Sequence, residues 1–222
     1  MRVCSREGGA YLCVLTEVTQ EHARAKILDL EDTYTELSSP IVLFQGLAKG
    51  EKMDFVVQKA VELGAVEIVP VAMKNCVVKL DEKKAAKKVE RWQSIAENAA
   101  RQAKRSVLPK VSKVSSFRQA LDYGSSLDVL LMPYEHERGM LQTKQVLEGI
   151  KKGQSIGVLI GPEGGFDPGE VEDARKCAQV ISLGKRILRT ETAGLTALSI
   201  LMYYIELLEE GEKGEESGSI SG

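Results

Sequence analysis

The sequence predicts an α/β protein built on a parallel sheet. From Pro40 onward, short apolar segments typical of strands alternate with segments whose apolar residues recur at helical spacing. The strand segments are apolar on both faces, as expected when helices cover both sides of a parallel sheet. The chain has 222 residues, of which 43% are hydrophobic and 28% charged, so it can bury a sizeable core.

The first 38 residues are predicted to form a separate β segment. They contain two strand candidates, residues 10–18 and 23–30, with polar turn residues between them. Residues 1–38 are too few to close a barrel on their own, so the segment is expected to be a small, incomplete β unit.

The alternating region covers residues 39–210. Asp167, Pro168 and Glu170 have the spacing of a capping box with proline at the first helical position, which predicts a helix start. The predicted strands are 40–47, 65–73, 127–134, 154–161 and 179–184, and the predicted helices are 50–64, about 82–104, 115–124, 140–150, 167–178 and 192–210. The last helix is apolar around most of its circumference, which indicates either a central core helix or half of a dimer interface. Residues 211–222 are predicted to be a disordered acidic tail.

The composition argues against a membrane-spanning, secreted, metal-binding or disulfide-rich protein. No apolar run reaches the roughly 18 residues of a membrane span, and no basic and apolar leader precedes a cleavage site. The four cysteines show no CxxC spacing, and only two histidines accompany them, so neither a metal site nor a disulfide scaffold is expected. We therefore expect a protein of the reducing cytoplasm that uses no metal and no membrane.

The net charge of −2 conceals a basic block. Residues 74–113 contain twelve lysines and arginines against four acidic residues. Such a block indicates either a surface for a polyanion or a solvated lysine-rich helix face, and charge alone does not separate the two.

The segment VLIGPEGGF, residues 158–166, places three glycines and Glu163 directly after a predicted buried strand. Glycines permit positive φ and close approach of the backbone to a ligand. Neither the P-loop pattern nor G-x-G-x-x-G occurs in the chain, and Glu163 would repel a polyphosphate. The loop suits a nucleoside ligand with a positive centre, such as S-adenosylmethionine; a tight turn made only for packing is the alternative.

A second segment, LGKRILRTETAG (residues 183–194), joins the last strand to the last helix. Arg189 beside the first amides of a helix favours an anionic group or developing negative charge. The alternative is that Glu191 and its neighbouring threonines only cap the helix.

Together, LIGPEGGFDPGEV and LGKRILRTETA strongly resemble motifs of the RsmE-type 16S ribosomal RNA uridine-N3 methyltransferases of the SPOUT superfamily. KGEKMDFVVQKAVELGAVEIVPV, CVVKLD and RWQSIAENAARQ resemble the same family, so the resemblance spans about residues 40–208. It implies S-adenosylmethionine as cofactor, a C-terminal trefoil knot, and a homodimer that acts on ribosomal RNA of the small subunit. It also favours the dimer interface as the role of the last helix.

The resemblance implies which residues form the cofactor pocket. They are Leu131, Met132, Pro133, Ile160, Gly161, Pro162, Glu163, Gly164, Gly165, Leu183, Gly184, Ile187, Leu188, Arg189, Thr190, Glu191, Thr192 and Ala193. Arg189 is the expected donor to the uridine anion, and Glu163 or Glu191 is the expected base. The expected RNA-facing residues are Arg91, Arg101, Lys104 and Arg105, whereas Trp92 is expected in the core.

The sequence departs from the family pattern in two places. Family members begin with a complete RNA-binding β-barrel, whereas residues 1–38 match only part of such a PUA-like unit. In RQAKR, residues 101–105, Lys104 stands where relatives usually have glycine, so the long helix is expected to run further.

Two other functions remain open from the sequence. A non-catalytic RNA-binding protein with a SPOUT fold would retain the basic block without needing intact cofactor loops. An enzyme for a phosphate ligand would need a lysine or arginine in place of Glu163.

Overall fold

The computed structural model describes residues 1–4, 9–31 and 35–218. The strands within these ranges are β1 (Arg2–Cys4), β2 (Ala10–Val18), β3 (Ala23–Glu31), β4 (Ile41–Gly46), β5 (Ala65–Ala72), β6 (Lys110–Val111), β7 (Ser115–Ser116), β8 (Val129–Pro133), β9 (Ile156–Ile160) and β10 (Gln179–Ile181). The helices are α1 (Lys52–Glu62), α2 (Glu82–Gln102), α3 (Phe117–Gly124), α4 (Met140–Glu148), α5 (Pro168–Ala174) and α6 (Thr190–Gly218).

The main sheet is parallel, which confirms the central prediction. Its strand order is β10-β8-β9-β4-β5-β6, with β7 also paired to β5. Every residue of β4 and β9 is buried. The carboxyl ends of parallel strands lie at one edge of a sheet, so the segments that follow β8, β9 and β10 meet there.

The N-terminal strands form their own antiparallel sheet in the order β1-β2-β3. The strands predicted at 10–18 and 23–30 are confirmed. Ala10 and Cys13 are buried, but most large apolar side chains of this sheet are exposed, namely Leu12, Val14, Leu15, Val18, Ile27, Leu28 and Leu30. Its assignment as part of a PUA-like unit stays a prediction.

Helix α2 packs against α1 through Trp92, which is 2% exposed and donates from Nε1 to Asp54 Oδ1 at 3.0 Å. The core role predicted for Trp92 is confirmed. The expected extension of α2 past residue 104 is wrong, because the helix ends at Gln102. Lys104 adopts φ +56° and turns the chain away from the helix axis, a conformation that favours glycine.

The predicted exposure of Arg105 to RNA is contradicted by its burial. Its side chain is 2% exposed and pairs with the carboxylate of Glu36. Nη1 of Arg105 also donates to the carbonyl oxygens of Val61 and Ala65, at 3.1 and 2.6 Å. Burial raises the pKa of Glu36, but the Arg105 guanidinium and the amides of Ser106 and Val107 outweigh it, so the net pKa lies below its usual range.

Helix α6 combines a core face with an exposed apolar face. Leu198, Leu201 and Ile205 are at most 1% exposed, whereas Tyr203 and Leu207 are 64% and 45% exposed. The helix continues to Gly218, where the sequence predicted a tail from residue 211. Extending an anchored helix needs no new nucleus, which explains this continuation. Residues 219–222 of the predicted tail lie outside the described residues.

Candidate active site

A cavity of about 370 Å³ lies at the carboxyl edge of the parallel sheet. Three segments build it, namely those that follow β8, β9 and β10, and α1 adds the side chain of Lys52. The lining residues are Lys52, Pro133, Tyr134, Glu135, Ile160, Gly161, Pro162, Glu163, Gly165, Phe166, Leu183, Gly184, Arg186, Ile187, Leu188, Arg189, Thr190 and Ala193.

In and beside the loop after β9, several glycines occupy positions where a side chain would be strained or would clash. Gly165 has φ +69°, in the left-handed region that side chains disfavour. A Cβ on Gly164 would lie 2.8 Å from the carbonyl oxygen of Asn75, and Asn75 Nδ2 donates to the oxygens of both glycines at 3.4 and 3.3 Å. Gly46 lets β4 approach the loop, since a Cβ there would lie 2.6 Å from the Pro162 nitrogen. The loop shape is therefore fixed by its neighbours.

A hydrogen-bond chain connects this loop to the start of α6. Thr190 Oγ1 donates to the carbonyl oxygen of Gly161 at 2.6 Å and accepts from Gln45 Nε2 at 2.8 Å. Gln45 is fully buried at the end of β4. Because the chain spans β4, β9 and α6, it fixes two walls of the cavity relative to each other.

Contacts with Lys74 hold the other end of the loop, where α5 begins. The capping box predicted for Asp167 and Glu170 is confirmed. Lys74 Nζ lies 2.7 Å from Asp167 Oδ2, and Glu170 Oε1 accepts from the Lys74 amide at 2.9 Å. The hydrogen bond and charge of Asp167 raise the pKa of Lys74, and the same hydrogen bond lowers the pKa of Asp167.

The segment after β10 presents cationic and apolar side chains at the mouth of the cavity. Gly184 turns the chain with φ +112°, and Ser182 Oγ donates to its carbonyl oxygen at 3.4 Å. Ile187 is 81% exposed. Arg189 is also exposed, and no acidic side chain in the described part of the chain forms an ion pair with it. A cation without a counter-ion at a cavity can interact with an anionic ligand group.

Two carboxylates flank Lys52 at the same site. Glu163 Oε1 accepts from the Lys49 amide at 2.9 Å and from Lys52 Nζ at 3.1 Å. Glu191 Oε2 lies 3.9 Å from the same Nζ. Burial raises the pKa of Glu163, but the amides of Lys49 and Glu163 and the Lys52 ammonium outweigh it and leave the pKa below its usual range.

No group of three or more His, Cys, Asp or Glu side chains that could hold a metal ion occurs among the residues described. Within residues 1–4, 9–31 and 35–218, no helix has the length and apolarity needed to cross a membrane.

Comparisons with known proteins agree with this architecture. A family model for an RNA methyltransferase domain matches residues 35–202. Ribosomal RNA small subunit methyltransferase E of Bacillus subtilis is 38% identical over 209 residues, which cover 92% of this chain and 82% of that protein. The chain belongs to the ribosomal RNA small subunit methyltransferase E family.

Two further members of the methyltransferase E family support this assignment. The Mesomycoplasma hyopneumoniae protein is 32% identical over 196 residues, which cover 85% of this chain and 83% of that protein. A crystal structure of the Neisseria gonorrhoeae protein bound to S-adenosyl methionine is 34% identical, with a TM-score of 0.77 and coverage of 91% of this chain and 82% of that chain. The predicted family resemblance is confirmed, and so is the α/β fold with a parallel sheet.

Most residues predicted for the pocket of a methyltransferase E line the observed cavity. Those that do are Pro133, Ile160, Gly161, Pro162, Glu163, Gly165, Leu183, Gly184, Ile187, Leu188, Arg189, Thr190 and Ala193. Their binding of a cofactor stays a prediction. Leu131, Met132, Gly164, Glu191 and Thr192 do not line it. Leu131 and Met132 are at most 1% exposed because they lie inside β8, and Gly164 packs on Asn75 instead.

Sequence reasoning missed five residues that line the cavity. They are Lys52, Tyr134, Glu135, Arg186 and Phe166. Arg186 and Phe166 lie within the quoted motifs. Tyr134 ends a predicted strand and Glu135 directly follows it, so position at the carboxyl end of a strand could have indicated both. Lys52 lies 111 residues from Glu163 on a separate helix, and nothing local indicates its role.

The predicted RNA-facing residues fall into two groups. Arg91, Arg101 and Lys104 are exposed, although Arg91 pairs with Asp54 at 2.6 Å and Arg101 donates to the Asn98 side chain at 2.7 Å. Arg105 is buried and cannot reach RNA while the fold is intact. RNA binding by the exposed three stays a prediction.

Proposed function

We propose that this protein is an S-adenosylmethionine-dependent methyltransferase that methylates N3 of a uridine in the 16S RNA of the small ribosomal subunit. Membership of the methyltransferase E family supports the substrate class. The observation that carries the proposal is that the two motif segments, residues 158–166 and 183–194, line one cavity.

The residues of the cavity fit an adenosylmethionine ligand. A volume of about 370 Å³ lies in the range of small-molecule pockets. The Glu163 and Glu135 carboxylates disfavour a polyphosphate but tolerate a ligand with a sulfonium and an ammonium group. Ile160, Leu183 and Leu188 offer apolar surface, and the backbone around Gly161 and Gly165 offers polar groups at close range.

The chemistry requires negative charge to be stabilised on the acceptor ring. When bound, S-adenosylmethionine supplies the methyl group, so that the S–CH3 bond breaks as the N3–CH3 bond forms. Before that, N3 loses its proton, and the charge spreads onto the flanking carbonyl oxygens. Arg186 and Arg189 are exposed arginines that line the cavity, and we assign Arg189, which lies directly before helix α6, to this anion. A well-aimed donor of this kind lowers the activation barrier by about 3–4 kcal/mol.

The two carboxylates are better suited to positioning than to proton transfer. Glu163 lines the cavity, but its lowered pKa makes it a weak base. Glu191 does not line the cavity. We therefore assign the N3 proton to solvent at the cavity mouth rather than to either of the two expected bases.

Single-turnover methylation of small ribosomal subunits tests the proposal, with 3-methyluridine detected by mass spectrometry. We expect Arg189→Ala to lower the rate by about 10²–10³ and to change S-adenosylhomocysteine affinity by less than about threefold. Lys185→Ala is the matched control, because Lys185 is exposed in the same segment but does not line the cavity. A wild-type rate for Arg189→Ala would refute its catalytic role. Absence of both cofactor binding and methylation in the wild type would favour the non-catalytic RNA-binding alternative.

Further parts of the proposal concern assembly. The family resemblance supports a C-terminal trefoil knot, a PUA-like N-terminal unit, a homodimer and a cytoplasmic location. Tyr203 and Leu207 on α6 form an exposed apolar face that suits a dimer interface. Leu201 and Ile205 belong to the core and are unavailable for it. A monomeric mass by light scattering at micromolar concentration would rule the dimer out.

A further inference from the structure

One lysine on α1 stands between two carboxylates of the cavity region. Lys52 Nζ is 3.1 Å from Glu163 Oε1 and 3.9 Å from Glu191 Oε2. Its side chain is 34% exposed, whereas those of Glu163 and Glu191 are 23% and 18% exposed. At such partial burial, charges interact more strongly than on an open surface.

Glu191 depends on this lysine more than Glu163 does. Glu163 also accepts from the Lys49 amide. Glu191 Oε2 is buried and has no hydrogen-bond partner among the described residues, so the Lys52 ammonium is the cation that offsets its charge. An uncompensated buried carboxylate is strongly unfavourable.

The two carboxylates belong to segments that form different walls of the cavity, although the Glu191 side chain itself does not line it. Glu163 lies in the loop after β9, and Glu191 is in the first turn of α6, directly after Thr190 and Arg189. We propose that Lys52 is a positioning residue, whose ammonium group joins these two walls and so sets the shape of the cavity and the placement of Arg189. The expected effect on ligand binding rests on the proposed function, but the joining of the two walls does not.

Substitution of Lys52 removes the bridging charge without removing side-chain bulk. We expect Lys52→Met to weaken S-adenosylhomocysteine binding about tenfold, because two unneutralised carboxylates then repel each other and the walls separate. Lys52→Arg keeps the charge and should restore affinity to within about threefold. Lys59→Met is the matched control, since Lys59 lies on the same helix, is 35% exposed and pairs with Glu62 at 2.8 Å. It should bind like the wild type.

A second substitution distinguishes positioning from direct ligand contact. If Lys52 acts through the carboxylates, adding Glu191→Gln to Lys52→Met removes one repelling charge and recovers about threefold of the lost affinity. If Lys52 instead binds the ligand itself, Glu191→Gln recovers nothing, and the proposal is overturned. Unchanged affinity in Lys52→Met overturns it as well.

Hydrogen exchange on the ligand-free protein provides a readout that needs no cofactor. Lys52→Met should increase amide exchange in residues 161–166 and 185–191 together, whereas Lys59→Met should change neither segment. Equal exchange in Lys52→Met and the wild type would overturn the proposal. If the wild type binds no S-adenosylhomocysteine, the proposed function fails, and the exchange of these two segments still decides the role of Lys52.

Discussion

Replacing Arg105 with methionine separates a structural role of this arginine from the RNA-binding role that the sequence predicted. Its guanidinium donates to both oxygens of Glu36 and to the carbonyl oxygens of Val61 and Ala65. Methionine has similar length but leaves a partly buried carboxylate and two carbonyl oxygens without these donors. Removing one partner of a buried pair costs about 3–5 kcal/mol.

The assay is thermal unfolding followed by circular dichroism at neutral pH. For a chain of this size, about 1 kcal/mol lowers Tm by about 2–4 °C, so we expect Arg105→Met to lower Tm by about 6–20 °C. Arg101→Met is the control, because Arg101 is exposed near the same helix end, and its substitution should alter stability by less than about 0.5 kcal/mol. Arg101→Met should instead weaken RNA binding.

The pH dependence of folding stability provides a second test of this role of Arg105. Glu36 has a lowered pKa in the folded state, so its pairing contributes stability that is present above the unfolded pKa and is lost as pH falls through the folded pKa. The stability gap between the wild type and Arg105→Met should therefore narrow in acid. Wild-type stability of Arg105→Met combined with weaker RNA binding would refute the structural reasoning and restore the sequence-based assignment.

Two further predictions concern backbone conformation. Gly165→Ala should weaken S-adenosylhomocysteine binding about 5- to 30-fold while the fold stays intact, because φ +69° costs a side chain about 1–2 kcal/mol and the loop would shift to relieve it. Gly211→Ala, in open space on α6, is the control, and normal affinity of Gly165→Ala in calorimetric titration would contradict the cavity assignment. Lys104→Gly should raise the free energy of unfolding, measured in urea, by up to about 1 kcal/mol. Glycine relieves the strain of φ +56°, and this gain exceeds the cost of the greater conformational entropy that glycine gives the unfolded chain. A clear loss of stability would show that the turn is not strained.

The order of the elements and the location of the candidate site could be predicted from local sequence patterns. Strand and helix segments show in local periodicity, and the capping box of Asp167 and Glu170 lies within four residues. The glycines of residues 158–166 and the segment 183–194 could be recognised because the carboxyl ends of parallel strands meet at one edge. These features depend on near neighbours in the chain, so patterns were sufficient to predict them.

Which charged residues face solvent and which are paired could not be predicted from the sequence, because contacts between distant segments determine it. Arg101 and Arg105 look alike in the sequence, yet the left-handed turn at Lys104 directs Arg105 into the interior, towards Glu36, 69 residues away. Likewise, Lys52 meets Glu163 across 111 residues. The energy of a charge depends on its burial and its partners, and both are fixed by contacts between distant segments that no local pattern records.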